Sequence, residues 1–193
     1  MKQINQDNQI ICLLGSSGAG KDTLASYFKT QGYNFVTSHT TRPMRENEYE
    51  GNPYYFIDKE AMLELLNSNQ LLEYRTYITL VDNIEDTWYY GIHKDEVDDS
   101  KKYVVVIDLK GFNELKAKLG NRVVGFYLEV PEPVRRERAM KRGSFDKVEW
   151  NRRVETDKND THWLKLKESG VQVIPFKYQT IEELYQEITE GAK

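Results

Sequence analysis

The residues best suited to chemistry lie together near the start of the chain, in Leu14-Gly15-Ser16-Ser17-Gly18-Ala19-Gly20-Lys21-Asp22-Thr23. Gly15, Gly20 and the small residues between them let the backbone turn so that N–H groups over Ser17, Gly18, Ala19 and Gly20 converge on one point. Lys21 follows in register with a full positive charge. Such a cradle takes polyphosphate. The motif asks for Ser or Thr after the lysine, whose hydroxyl joins a magnesium shell, but here Asp22 holds that place and Thr23 comes next. Asp22 can serve a metal directly or through water, or it can simply cap the helix; the residues leave both readings open.

A second dense stretch is Thr37-Ser38-His39-Thr40-Thr41-Arg42-Pro43-Met44-Arg45. Hydroxyls and two arginines three residues apart can converge on one phosphate, the guanidinium forks bonding its oxygens. A further cationic group comprises Arg135, Arg136, Arg138, Lys141, Arg142, Arg152 and Arg153. The net charge over 193 residues is nevertheless −4, which speaks against a duplex nucleic acid partner. Two local basic patches in an acidic chain fit a small anionic ligand.

These residues need elements to position them. The apolar run Ile10-Ile11-Cys12-Leu13-Leu14 reads as a strand before the cradle, and a helix over 23–30 follows it. The helix N-terminus adds its partial positive charge to the cradle. Further on, the pattern predicts strands over 33–36, 71–74, 103–108, 122–130 and 170–175. Helices are predicted over 59–67, 111–119, 133–143, 147–167 and 180–188. The run Tyr103-Val104-Val105-Val106-Ile107 is apolar throughout, as in a sheet covered on both faces, and Asp108 ends it where open α/β sheets place their ligands. Alternating strands and helices imply an α/β domain of three layers with a mostly parallel central sheet. Apolar runs are strand-sized and the N-terminus lacks the apolar region of a secretory signal, so the expected location is cytoplasmic. The single Cys12 reads as a small buried apolar residue.

Taken together, Gly15 to Thr23 and Ser38-His39-Thr40-Thr41-Arg42-Pro43-Met44-Arg45-Glu46-Asn47-Glu48-Tyr49-Glu50-Gly51-Asn52-Pro53-Tyr54-Tyr55-Phe56 resemble the guanylate kinase family, which moves phosphate from ATP to GMP. The second stretch is the more specific, and the resemblance runs through the chain apart from a few residues at each end. It implies a P-loop NTPase fold with an acceptor-nucleotide-binding insert and a helical lid. The chain would be a single domain over 1–193, with a core at 8–36, 95–135 and 155–190, an acceptor-binding subdomain at 37–94 and a lid at 136–154.

By the same resemblance, Ser17, Gly18, Ala19, Gly20, Lys21, Asp22 and Thr23 bind the phosphates of ATP, with Mg2+ at Asp22 or Thr23. Ser38, Arg42, Arg45, Tyr54 and Tyr90 surround the acceptor phosphate, while Glu73 and Asp108 face the acceptor base. Lys21, Arg138, Arg142 and Arg153 act in the transfer, where convergent cations stabilise charge spread over the moving group. The implied partners are ATP and a nucleoside monophosphate, GMP first, with no nucleic acid and no membrane, for a monomer or homodimer.

Three departures gather at the base pocket. A long loop, about twice the family's length, joins Tyr74 to Tyr89; Ile92 stands where the family has a hydroxyl; and Val106 replaces another Asp. Glu73 suits guanine because N1–H and the 2-amino group are parallel donors. An aliphatic group in place of a hydroxyl relaxes or changes the choice of base. After the last strand, Phe176-Lys177-Tyr178 replaces the Asn and acidic residues that the family has near adenine, so the donor-base contact is altered or comes from backbone. The expected function is ATP-dependent phosphorylation of GMP or dGMP to GDP or dGDP. Its alternatives are a kinase of a different nucleoside monophosphate or of ribose 1,5-bisphosphate on the same scaffold, and a non-catalytic binding module, against which the retained Lys21 stands.

Overall fold

The structure, a computed structural model, describes residues 9–46, 48–81, 84–141, 145–160 and 163–191. At its centre is β1 (Ile10–Leu14), buried along its whole length. Strand alternation sends its residues to opposite layers. Ile10, Cys12 and Leu14 join Phe112, Leu115 and Leu166, while Ile11 and Leu13 join Leu24, Phe28 and Ile188. Burial pushes the Cys12 thiol pKa far above its usual range, so this residue is packing material rather than a nucleophile.

The central sheet is wholly parallel, in the order β2 (Asn34–Phe35), β7 (Tyr103–Val106), β1, β8 (Val123–Glu129), β9 (Gln172–Pro175). Ile10 pairs with Tyr103 on one side and Val123 on the other. On one face lie α1 (Lys21–Thr30) and α7 (Ile181–Gly191), joined where the Tyr185 ring meets those of Tyr27 and Phe28 at 5.4 and 4.8 Å. The opposite face is covered by α3 (Leu109–Leu119) and α6 (Trp163–Glu168). This is the three-layer α/β arrangement that the alternation of elements implies.

A second, four-stranded sheet runs in the order β4 (Tyr54–Phe56), β3 (Ser38–Thr40), β6 (Ile84–His93), β5 (Leu71–Val81). Within it β3 is parallel to β4 and antiparallel to β6, and β5 and β6 form a hairpin. Between β4 and β5, α2 (Lys59–Asn67) is capped by Asp58, whose Oδ1 accepts the Ala61 N–H at 2.7 Å.

Two expectations change. The stretch from Arg75 to Trp88 is not a loop: β5 and β6 pair continuously from Glu73 opposite Ile92 to Val81 opposite Ile84. Thr76, Ile78 and Thr87 supply the β-branched residues that favour such strands. The helix expected over 147–167 is two, α5 (Lys147–Asp160) and α6, the latter burying Leu166. Before them runs α4 (Glu132–Lys141). Among the described residues no helix is long and apolar enough to cross a membrane.

Candidate functional site

The cradle between β1 and α1 packs so closely that it requires glycine. Gly18 has φ 81°, and a Cβ there would meet the Arg135 carbonyl oxygen of α4 at 2.9 Å. Gly20, at φ 101°, is the N-cap of α1, so the helix begins at Lys21 and the exposed Asp22 lies in its first turn. The cap considered for Asp22 therefore belongs to Gly20. Lys21 Nζ donates to the Gly15 carbonyl at 2.6 Å and to that of Ser16 at 3.2 Å. Three side chains from α4 and α5 touch the same loop. Arg135 Nη1 donates to the Ser17 carbonyl at 2.8 Å, Arg138 Nη1 donates to the Ala19 carbonyl at 3.0 Å, and Asp157 Oδ2 accepts the Ser17 N–H at 2.8 Å.

Across a cavity of about 1060 Å³ the cradle faces the second sheet. Gly15, Ser17 and Lys21 border it from the first side, and Ser38, Arg45, Tyr54 and Tyr90 from the second. Arg152, Arg153 and Asp157 of α5 complete the wall. Ser38 and Tyr54 are partners in the β3–β4 register, and the Tyr90 ring lies 5.4 Å from that of Tyr54. Burial, and then the neighbouring Tyr90, hold the Tyr54 pKa above its usual value, so the hydroxyl remains a donor at neutral pH. Arg42 does not reach the cavity wall. It is buried, gives two 2.9 Å bonds to Glu48 and one of 2.7 Å to the Pro43 carbonyl, and lies over the Tyr54 and Phe56 rings at 5.5 and 5.6 Å.

The period of two places Glu73, Arg75 and Tyr77 on one face of β5, opposite Ile92, Tyr90 and Trp88 of β6. Beyond β7, which ends at Val106, Asp108 caps α3 by accepting the Gly111 N–H on Oδ1 at 2.8 Å. Arg75 stands between the two carboxylates, with Nε 3.2 Å from Glu73 Oε2 and Nη1 3.2 Å from Asp108 Oδ2. Tyr77 donates its hydroxyl to the same Asp108 oxygen at 3.3 Å. Glu73 is wholly buried, and its Oε2 sits so close to α3 that a Cβ on Gly111 would meet it at 2.9 Å. Burial raises the Glu73 pKa to about 7 in spite of Arg75. Burial alone would lower that of Arg75, but the charges of Glu73 and Asp108 outweigh it and keep the guanidinium protonated. Ile92, opposite Glu73, is fully buried and offers no polar atom.

A second cavity, of about 460 Å³, adjoins the cradle at Ala19 and Gly20 and is bordered by Thr23, Arg138 and Phe176. The Arg138 guanidinium lies 5.7 Å over the Phe176 ring. Asp22 and Thr23 are both exposed at the start of α1. Two hard oxygen donors with open space beside a phosphate cradle suit Mg2+, which keeps waters and phosphate oxygens as its other ligands. Among the described residues no group of three His, Cys, Asp or Glu is arranged to hold a metal ion. Arg142 lies outside the described residues.

Arg75, Tyr77 and Asp157 escape a reading by motif. The signal for the first two is the spacing Glu73-x-Arg75-x-Tyr77, which a strand turns into one face. Asp157 stands four residues after Arg153, hence on the same side of α5.

Residues 7–163 match the family model described as Guanylate kinase. The chain is 29% identical to the guanylate kinase of Onion yellows phytoplasma over 168 residues, covering 83% of this chain and 76% of the relative. It is 32% identical to that of Wolinella succinogenes over 152 residues, covering 75% and 67%. With the Helicobacter pylori guanylate kinase the identity is 31% over 157 residues, covering 78% and 72%. Among solved structures it is similar to the guanylate kinase from Anaplasma phagocytophilum, with TM-score 0.63, 21% identity and 97% and 85% of the two chains covered. A gluconokinase from Sinorhizobium meliloti aligns with TM-score 0.55 and 16% identity over 97% and 93%. At these identities the solved structures speak for the fold, that of the P-loop NTPases. The sequence matches go further: this chain, a phosphotransferase, belongs to the guanylate kinase family.

Proposed function

We propose that the protein transfers the γ-phosphoryl group of ATP to the phosphate of a nucleoside monophosphate bound in the large cavity. One observation carries this reading: the phosphate cradle with Lys21 and the wall of Ser38, Arg45, Tyr54 and Tyr90 face one another across a single space that Arg153 also borders. In the transfer an acceptor phosphate oxygen bonds to the γ-phosphorus as the bond from that phosphorus to the bridging oxygen breaks, and the electron pair leaves on ADP. An ionised phosphate oxygen is already a nucleophile, so the protein's task is alignment and cationic stabilisation.

Lys21, Arg138, Arg142 and Arg153 are the cations assigned to that task, with Arg42 bracing Tyr54 from behind. Residues 37–94 act as the acceptor-binding unit and 136–154 as the lid on a core of 8–36, 95–135 and 155–190. Closure of the two excludes water. The donor base fits the second cavity against Phe176. Asp22 or Thr23 would hold Mg2+, which neutralises charge on the donor phosphates when bound.

GMP and dGMP, giving GDP and dGDP, are the acceptors that Glu73 and Asp108 would read if both carboxylates met guanine. The contact of Arg75 with both carboxylates favours a second reading, a nucleoside monophosphate with another base. Coupled ADP release with ATP and Mg2+ tests the function, using GMP, dGMP, AMP, CMP, dCMP, UMP, dTMP, IMP and ribose 1,5-bisphosphate as acceptors. At least one nucleoside monophosphate should turn over, and Lys21→Ala should lower that rate by about 10²- to 10³-fold. Absence of turnover with every acceptor would leave a binding module, and turnover of the sugar bisphosphate alone would move the acceptor class.

A further inference from the structure

The base end of the acceptor site is already occupied by a side chain. Guanine is read by carboxylates because its N1–H and 2-amino group form a pair of parallel donors. The Arg75 guanidinium carries donors of the same kind: its Nη1 hydrogen-bonds Asp108 at 3.2 Å, while its Nε lies 3.2 Å from Glu73 as an ion pair without a hydrogen bond. The remaining Asp108 oxygen is taken by the Gly111 N–H. A guanine edge that met both carboxylates would compete with Arg75 for them.

What Arg75 leaves to a ligand is the opposite polarity. A guanidinium has five N–H donors and no acceptor. Its Nη1 bonds Asp108 and its Nε lies beside Glu73 without a hydrogen bond, Nη2 has no acceptor among the described residues, and the side chain borders the cavity. Val106 and Ile92 add no acceptor there. A complementary base places two acceptors side by side, as cytosine does with N3 and O2, which a guanidinium edge can bond as it bonds a carboxylate. Uracil and thymine carry N–H at position 3 and would set donor against donor.

We propose that Arg75 determines acceptor specificity: by standing in for guanine's donor edge between Glu73 and Asp108, it selects a cytosine nucleotide, CMP or dCMP, in place of GMP. This inference rests on the nucleoside monophosphate kinase reading above, and the two fail separately.

The experiment measures kcat/KM for CMP, dCMP, UMP, dTMP, AMP, GMP and dGMP with the wild-type protein, Arg75→Ala and Arg75→Lys. The expected wild-type result is a preference of at least about 10-fold for CMP or dCMP over GMP. Both variants should lose at least about 10-fold on the cytosine nucleotide, Lys lacking the planar fork, and Arg75→Ala should gain about 10-fold on GMP. Wild-type preference for GMP or dGMP overturns the proposal, as does loss of GMP turnover in Arg75→Ala, and the wild-type panel decides even if a variant does not fold. If nothing turns over, the kinase reading falls; calorimetric binding of CMP and GMP to the wild-type protein then decides, tighter CMP supporting the role of Arg75 and tighter GMP refuting it.

Discussion

The Asp157 carboxylate of α5 accepts a hydrogen bond of 2.8 Å from the backbone N–H of Ser17, inside the phosphate cradle. The same carboxylate lies 3.5 Å from Arg135 Nη1, which also donates to the Ser17 carbonyl. An anion of α5 thus sits on a donor that a phosphate bound in the cradle would use. Replacing it by a neutral isostere removes the repulsion and weakens the competing hydrogen bond. Asp157→Asn should tighten ATP binding by about 3- to 10-fold in calorimetry, on the scale of one charge-assisted hydrogen bond. An unchanged or weaker affinity would mean that Asp157 braces α5 against the loop without competing for the cradle.

Arg42 and Arg45 are three residues apart but should behave differently. Arg42 is buried in a bidentate pair with Glu48 and stacked on Tyr54 and Phe56. Arg42→Ala should destabilise the fold by about 2–4 kcal/mol, because it strands Glu48 and opens the packing. Arg45 is exposed on the cavity wall. Arg45→Ala should change stability by less than about 0.5 kcal/mol while raising the acceptor KM by about 10-fold. Equal losses of stability in urea titrations of the two variants would refute the distinction.

Glu73 makes stability depend on pH. Burial raises its pKa from the ordinary 4.5 to about 7, so between those values the folded protein holds a proton that the unfolded chain has released. The stabilising contribution is full below pH 4.5 and is lost as pH rises through 7. A shift of this size corresponds to roughly 3 kcal/mol. Between pH 5 and pH 8 the wild-type Tm should fall relative to that of Glu73→Gln, which does not titrate. Parallel curves for the two proteins would show that Arg75 keeps Glu73 ionised throughout.

Phe176 should report on the donor alone. It forms part of the 460 Å³ cavity beside Gly20 and Thr23 and carries Arg138 on its ring. Phe176→Ala removes a stacking surface for a base, an effect of about 1–3 kcal/mol where it has been isolated. The ATP KM should rise by about 10-fold with the acceptor KM unchanged. A rise confined to the acceptor KM would put the donor base elsewhere.

Much of the core was legible because its signals are local. The five-residue apolar run of β1 and the glycine spacing after it need no distant partner to be read, and neither does the helix-like apolar spacing over 59–67. The β5–β6 hairpin is not legible as strands because Arg75, Thr76, Tyr77, Glu85, Asp86 and Thr87 interrupt its apolar residues, and pairing between the two segments is not a local signal. Only pairing of Arg75 with Tyr90 and of Tyr77 with Trp88 gives the segment its order. The spacing of Arg42 to Arg45 says nothing about which of the two side chains is buried against Glu48.

The sequence by itself determined a phosphate cradle on a parallel α/β sheet and an acceptor-like cluster of hydroxyls and arginines, since short-range spacing and strand periodicity encode both. The tertiary structure alone decided that Arg75 stands between Glu73 and Asp108, the latter 33 residues away along the chain. That contact depends on how the hairpin packs against the N-terminus of α3, where Gly111 leaves room for the Glu73 carboxylate, and no pattern within either segment specifies it.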